Sequence, residues 1–282
     1  MADIQNINWY PGHMKKTREM IAANLKLVSA VMEVIDARIP DSGRNPIIPE
    51  LCGEKKRIIV LNKSDLADEE VNALWLEKFR GEFRYAAATN SESGEGCGRL
   101  MNLLENLRDE MNEGRPRKRD LRLMVVGIPN VGKSSLINRL AGRKSAKTGA
   151  KPGVTRGKQW INLGENMMLL DMPGILWPKF EDPKAGVHLA FCGSIKDEIL
   201  DLATLGLNLT EFLGREYPQL LCERYKLGFL EDEPLANMEN IAKKRGFIMS
   251  GGRIDYERTA RTLLDEFRSG KIGRISLEKP ET

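Results

Sequence analysis

The sequence predicts an α/β domain, a mostly parallel sheet with helices on both faces, followed by a small all-α domain. Three observations predict it. Short apolar, β-branched runs such as Ala30–Asp36, 57–61 and Leu121–Val126 alternate with stretches of helical periodicity. The run Leu121–Val126 leads straight into a glycine-rich turn, Gly127-Ile128-Pro129-Asn130-Val131-Gly132-Lys133-Ser134, and then a helix over 135–140. From about Lys184 onward, apolar residues recur only at helical spacing.

Along the chain, Trp9-Tyr10-Pro11-Gly12-His13-Met14 precedes a helix over 17–27, with Met20, Ile21, Leu25 and Val28 on one face. The strand Ala30–Asp36 gives way at Ala37-Arg38-Ile39-Pro40 to a loop punctuated by Pro and Gly through Pro49. A strand over 57–61 stops at Asn62-Lys63-Ser64-Asp65, and a helix over 69–79 follows. The spacing predicts a strand over 83–88, a loop over 89–96 and a helix over 100–111. Residues 112–120, with Gly114, Pro116 and a run of charge, read as an exposed linker. Strands over 159–163 and 167–170 join at Gly164-Glu165-Asn166 as a hairpin, and the second runs into Asp171-Met172-Pro173-Gly174.

In the C-terminal third, four sets mark apolar helix faces: Val187, Leu189, Ala190 and Phe191; Ile199, Leu202, Leu205 and Leu209; Leu235, Met238 and Ile241; and Ala260, Leu263, Leu264 and Phe267. The resulting division is 1–178 for the α/β domain and 184–282 for the helical one.

The turn after Leu121–Val126 reads as a phosphate-binding loop. Its backbone N–H groups and the N-terminus of the next helix face one anion, and Gly127 and Gly132 let the backbone approach it without a Cβ clash. Asn130, Val131 and Ser135 line the same turn, Lys133 reaches the β/γ-phosphates, and the Ser134 hydroxyl holds Mg²⁺. The base is decided at Asn62-Lys63-Ser64-Asp65. A carboxylate at Asp65 accepts from both N1–H and the exocyclic amine of guanine, a donor pair that adenine lacks; Asn62 braces the pocket and Lys63 stacks over the base. Alone, this tetrapeptide could equally end in a helix N-cap at Asp65. Asn90-Ser91 matches the pair whose backbone contacts guanine O6. Thr155 is the switch threonine, meeting Mg²⁺ and the γ-phosphate only in the triphosphate state. Asp171 binds Mg²⁺ through water, and the Gly174 N–H senses the γ-phosphate. The expected ligands are GTP or GDP with Mg²⁺.

These are the parts of a P-loop GTPase in a rearranged order: the guanine-reading segments precede the phosphate loop, the switch threonine and Asp-x-x-Gly. A parallel α/β sheet tolerates such a circular permutation because chain termini lie at the surface, and the linker over 112–120 is the new join. With Trp9-Tyr10-Pro11-Gly12-His13-Met14 and Asp36-Ala37-Arg38-Ile39-Pro40 also present, the chain resembles the circularly permuted GTPases of the YlqF type, the ribosome biogenesis GTPase A family. The resemblance covers the GTPase portion closely and the C-terminal third more loosely. It implies slow GTP hydrolysis activated by a ribosomal particle, binding to a large-subunit precursor and its rRNA in the GTP state, and release after hydrolysis. It also implies a helical domain that contacts rRNA, a catalytic role for His13, and an Asn at position 130 that helps hold K⁺.

Many GTPases place the attacking water with a Gln just after Asp-x-x-Gly. Ile175 occupies that position here and cannot orient water, so His13, or Asn130 with K⁺, must complete the catalysis begun by Lys133 and Thr155; Arg156 is a weaker candidate. His13 could instead be a structural hydrogen-bonder or touch RNA, and Asn130 could simply shape the turn. Because the chain leaves Asp-Met-Pro-Gly and enters the second domain, that domain is expected to change orientation with nucleotide state.

Composition narrows the partners. Residues 113–158 hold thirteen Lys/Arg against two acidic residues, a local charge of +11 in a chain whose net charge is +4. That excess suggests a polyanion such as RNA near the nucleotide site, against the alternative of a solvated basic linker. The helical third, with fifteen Lys/Arg and sixteen Asp/Glu, is not basic overall, but Lys243-Lys244-Arg245 and Arg253, Arg258 and Arg261 form local spots. Cys52, Cys97, Cys192 and Cys222 lie far apart with no Cys-x-x-Cys pair, which supports neither a zinc site nor a disulfide framework. With no apolar run of membrane-spanning length and a polar N-terminus, a cytoplasmic protein without membrane contact, favoured as a monomer, is expected. A GTP-dependent protein-recruiting switch without an RNA role is the second reading. A phosphoryl-transfer kinase is a poorer one, because no acceptor site is evident.

Overall fold

The computed structural model describes residues 12–142, 159–177 and 182–281, with the side chains of His13 and Gln159 outside the description. They fall into two compact units, one running to Trp177 and including 276–281, the other spanning 182–275.

The first unit contains α1 Gly12–Leu25, β1 Ala30–Asp36, α2 Ile47–Cys52, β2 Lys56–Asn62, α3 Glu69–Phe83, β3 Ala86–Thr89, α4 Cys97–Asn112, β4 Leu121–Val126, α5 Lys133–Leu140, β5 Gln159–Gly164 and β6 Met167–Asp171. The sheet order is β3-β2-β1-β4-β6-β5, parallel throughout except for the β5–β6 hairpin. Every residue of β1 is buried, as a central parallel strand covered on both faces requires. Strand order reverses at β1, with β2 on one side and β4 on the other, and the loops following these strands flank the crevice where open α/β sheets bind ligands.

Local readings change in three places. The first helix runs Gly12–Leu25 rather than 17–27, so Leu27 is exposed and Val28 lies beyond its end. Helix α3 continues through Phe83, whose ring packs 6.1 Å from that of Phe79, and Arg84 then ends it at φ +63° with its N–H donating to Arg80 O; the strand expected over 83–88 is confined to Ala86–Thr89. Within the loop expected through Pro49, the chain makes the short α2. Asp68 caps α3 by accepting from the Glu70 and Val71 N–H groups, so the cap lies three residues beyond Asp65. The linker after α4 is closed by Asn112, whose side chain donates to Arg119 O (3.0 Å) and accepts from Arg119 N–H (2.7 Å), leaving Arg115, Arg117, Lys118 and Arg119 exposed.

The chain's end returns to this unit. Leu277 N–H donates to Arg38 O (2.8 Å), and the Glu278 carboxylate accepts from Asp41 N–H (2.7 Å) and Ser42 N–H (3.1 Å). The Trp75 indole donates to Glu278 O (3.2 Å), and Asp68 N–H to the Ser276 hydroxyl (3.1 Å). The tail from Ser276 thus groups with the α/β unit rather than with the helical residues it follows in sequence.

The second unit is all helical: α6 Pro183–Phe191, a 3-10 turn Asp197–Ile199, α7 Leu202–Glu216, α8 Pro218–Tyr225, α9 Pro234–Arg245 and α10 Tyr256–Arg268. Gly206 on α7 lets α10 approach closely, since a Cβ there would stand 2.7 Å from Ala260 Cα. Arg268 binds both Asp197 carboxylate oxygens at 2.8 Å and the last carbonyls of α6, Phe191 O at 2.9 Å and Ala190 O at 2.8 Å. Ile199 and Leu235 are exposed rather than part of the apolar faces expected of them; Ile199 stands in the 3-10 turn, outside any α-helix.

Candidate nucleotide-binding site

The phosphate loop is shaped by glycines where the backbone needs them. Gly132 caps α5 at φ +88°, and a Cβ there would strike the Asn62 side-chain amide; one at Gly127, at φ +151°, would strike Val34 O on β1. Asn130 is also left-handed, at φ +63°. Ile128 and Val131 point into the core, while Ser134 and Ser135 open α5 half-buried. Lys133 is buried, its ammonium donating to Ile128 O (2.7 Å) and Gly127 O (3.1 Å) inside the loop. Burial pushes this ammonium down to about 8, although the neighbouring Asp171 carboxylate pulls the other way.

The Asn62–Asp65 segment is joined to this loop through one side chain. Asn62, the fully buried last residue of β2, donates to Val131 O (2.8 Å) and the Ser91 hydroxyl (3.3 Å), while its oxygen accepts from the Thr89 hydroxyl (3.1 Å) and Ser91 N–H (3.2 Å). It thereby ties the ends of β2 and β3 to the phosphate loop. Asp65 is exposed at the start of the following turn, available to a ligand rather than used as a cap. Lys63 adopts φ +59°, and its ammonium lies 3.0 Å from Asp36 Oδ2.

In the loop after β3, Asn90 accepts from Glu92 N–H (2.9 Å) and Ser93 N–H (3.1 Å), an Asx turn, so its side chain shapes the loop while Ser91 braces Asn62. Arg139 on α5 donates to Ser91 O (3.3 Å) and to Glu92 O, binding this loop to the phosphate-loop helix.

On the other side, Asp171 ends β6 buried beside Lys133. Gly174 passes so close to the phosphate loop that a Cβ would lie 2.9 Å from both Pro129 N and Cα. Ile175 is wholly buried; its N–H donates to Gly127 O (3.2 Å), and its carbonyl accepts from the Asn45 amide (3.1 Å). The lack of a water-orienting side chain there is therefore a packing feature of this loop. Thr155 and Arg156 lie outside the described residues. His13 stands by its backbone in the first turn of α1, its side chain outside the description.

A cradle that tolerates no Cβ, a buried lysine and adjacent Ser134 and Asp171 suit a nucleotide phosphate with Mg²⁺. Among the described residues no group of three or more His, Cys, Asp or Glu could hold a metal ion alone. Cys52, Cys97 and Cys192 are buried free thiols, Cys222 is half-buried, and no helix among the described residues is long and apolar enough to cross a membrane.

Ribosome biogenesis GTPase A of Bacillus cereus is 44% identical over 279 residues, covering 98% of this chain and 94% of the relative. The chain belongs to the ribosome biogenesis GTPase A family. The Thermotoga maritima member is 33% identical over 98% of the chain, and the mouse mitochondrial ribosome-associated GTPase 1 is 34% identical over 96% of it. The model of a 50S ribosome-binding GTPase family matches residues 122–221, beginning at the phosphate-loop strand. A GDP-bound YlqF structure shares 30% identity with a TM-score of 0.72, covering 93% of this chain and all of that one. The GNP-bound T. maritima YlqF gives 0.71, covering 94% of this chain and 99% of that one. Family and fold thus agree with the permuted motif order. What the motifs missed are Asn45, which bonds Ile175 O, Asp36, which pairs with Lys63, and Arg38, which holds Asp36; only the Asp36-Ala37-Arg38-Ile39-Pro40 signature hinted at the latter two.

Proposed function

We propose that this chain is a GTP-hydrolysing switch in assembly of the large ribosomal subunit, binding a precursor particle in the GTP state and leaving after hydrolysis. The observation that carries the nucleotide site is the Asn62 side chain, whose bonds to Val131 O and the Ser91 loop make the base-reading and phosphate-binding segments one site. Asp65 reads guanine, Lys63 covers the base, the loop N–H groups with Lys133 hold the phosphates, and Ser134 and Asp171 hold Mg²⁺. Thr155 and the Gly174 N–H report the γ-phosphate. Mg²⁺ held by Ser134 and Asp171 would neutralise charge on the phosphates. With Ile175 buried, His13, or Asn130 through a K⁺ it would hold, would complete catalysis on the ribosomal particle. In the α/β unit the exposed Arg115, Arg117, Lys118 and Arg119 of the linker are offered to rRNA, and in the helical unit Lys243 and Lys244 on α9 are. Arg245 is a structural residue instead, donating to Glu266 at 2.8 Å and stacked over Tyr225.

The test is sedimentation of the full chain with purified ribosomal particles in GDP or a non-hydrolysable GTP analogue. Binding should favour the analogue, and replacing Lys243 and Lys244 by Glu should weaken it in a salt-dependent way. Binding indifferent to nucleotide would remove the switch; binding indifferent to salt and to both lysines would favour a protein partner. Substituting His13 by Ala should lower particle-activated turnover while sparing GTP affinity, and unchanged turnover would point to Asn130 and K⁺, checked by exchanging K⁺ for Na⁺.

A further inference from the structure

Asp36 is the last residue of β1 and pairs in register with Asn62, so it stands at the crevice end of the sheet beside the base-reading segment. Its side chain and that of Arg38 are each only 1% exposed. Arg38 grips the carboxylate from two directions, Nε to Oδ1 at 2.9 Å and Nη2 to Oδ2 at 2.8 Å, and the Arg38 N–H adds a third bond to Oδ1 at 3.2 Å. One buried carboxylate and one buried guanidinium already neutralise each other. Oδ2 nevertheless takes a second cation, the Lys63 ammonium at 3.0 Å, from a residue held at φ +59°. A lysine at a left-handed position, its ammonium anchored on a carboxylate that cannot rotate, has little freedom left in its four-carbon stem. The Arg38 backbone is fixed in turn by Leu277 N–H on its carbonyl at 2.8 Å.

We propose that Asp36 is a positioning residue for guanine recognition: clamped by Arg38, it holds the Lys63 ammonium so that the Lys63 stem is preset as a wall of the base pocket. Burial would raise the Asp36 carboxyl, but the charges and hydrogen bonds of Arg38 and Lys63 outweigh it and hold the group well below the usual carboxylate range, so the clamp stays charged at neutral pH. A side chain ordered before the ligand arrives spares the ligand that ordering, which is worth up to about tenfold in affinity for one long side chain. The inference rests on the assignment of Asn62 to Asp65 as the base-reading segment.

The test is a double-mutant cycle read by calorimetric GDP affinity on the full chain, with thermal unfolding of each variant alongside. Asp36→Asn should weaken GDP about tenfold when Lys63 is present and less than twofold in the Lys63→Met background. Equal losses in both backgrounds would make Asp36 a purely structural residue and overturn the proposal, as would a Lys63→Met variant that binds GDP as tightly as the parent. Should Asp36→Asn leave Arg38 unpaired and the protein unfolded, Asp36→Glu retains a charge for Arg38 while displacing the carboxylate, and its effect should likewise depend on Lys63. Asp65→Asn is the control for the underlying reading. If it leaves guanine affinity unchanged, the segment does not read the base; if it abolishes guanine affinity while the cycle shows no coupling, only the proposal for Asp36 falls.

Discussion

Replacing Asn62 by Ala should disconnect the two halves of the nucleotide site. The substitution deletes a fully buried side chain that makes four hydrogen bonds, to Val131 O (2.8 Å), the Ser91 hydroxyl (3.3 Å), the Thr89 hydroxyl (3.1 Å) and Ser91 N–H (3.2 Å). The hydroxyls can rotate to other partners, but the Val131 carbonyl and the Ser91 amide cannot. Each buried backbone group left unsatisfied costs about 1–3 kcal/mol, so the α/β unit should lose about 2–6 kcal/mol. At about 2–4 °C per kcal/mol for a unit of this size, the midpoint of its thermal transition should fall by at least about 4 °C. Because Val131 belongs to the phosphate loop, GDP affinity should fall as well. Asn62→Asp, which keeps the shape but sets a carboxylate oxygen against Val131 O, should do at least as much damage. Thermal unfolding by circular dichroism, with and without GDP, measures both effects. An Ala variant that melts within about 2 °C of the parent and binds GDP normally would refute the idea that this side chain joins the two loops.

Lys133 titrates at about 8 in the free protein. Nucleotide phosphates favour its charged form and so raise that value, hence binding should take up more proton at pH 8.5 than at pH 7, with affinity declining as the pH rises past the free value. Calorimetry in buffers of different ionisation enthalpy reads the uptake, and proton release on binding would contradict it. Ending the chain at Ile275 removes the Ser276, Leu277 and Glu278 bonds to Asp68, Arg38, Asp41, Ser42 and Trp75, so the α/β unit should lose about 2–4 kcal/mol. A urea midpoint unchanged by that truncation would show that the tail adds nothing. Gly174→Ala places a Cβ 2.9 Å from the Pro129 backbone, where neither segment can give way cheaply. It should weaken a GTP analogue more than GDP, and equal effects on both would separate Gly174 from γ-phosphate sensing.

The candidate site residues could be named from the sequence because their chemistry is local. The glycines at 127 and 132, the lysine and serine that open α5, and the carboxylates at 65 and 171 sit at strand ends, where residue type and neighbour order carry the information. Strands β1, β2 and β4 were readable for a related reason: central parallel strands carry mostly apolar runs, interrupted here only by Glu33 and Asp36 in β1, Lys56, Arg57 and Asn62 at the ends of β2, and Arg122 in β4. Weaker local signals failed. Phe83 and Arg84 look as suited to a strand as to a last helical turn, and packing of Phe83 on Phe79 decided between them. Ile199 has helical spacing from Leu202 but sits in a tight turn that leaves it in solvent.

The sequence by itself determined the ligand class and the permuted order of the loops, since both follow from which residue types stand at which strand ends. Only the tertiary structure decided how those loops are held to one another. Asn62 reaches Val131, Asn45 reaches the Ile175 carbonyl, Asp36 collects Arg38 and Lys63, and the last residues return to the α/β unit. Apart from the local Asp36–Arg38 pair, these contacts join residues 27 to 239 positions apart, and no pattern of spacing encodes such a partner. They form because burial leaves a polar group no water to bond, so it must find whichever complementary group the fold has brought within reach.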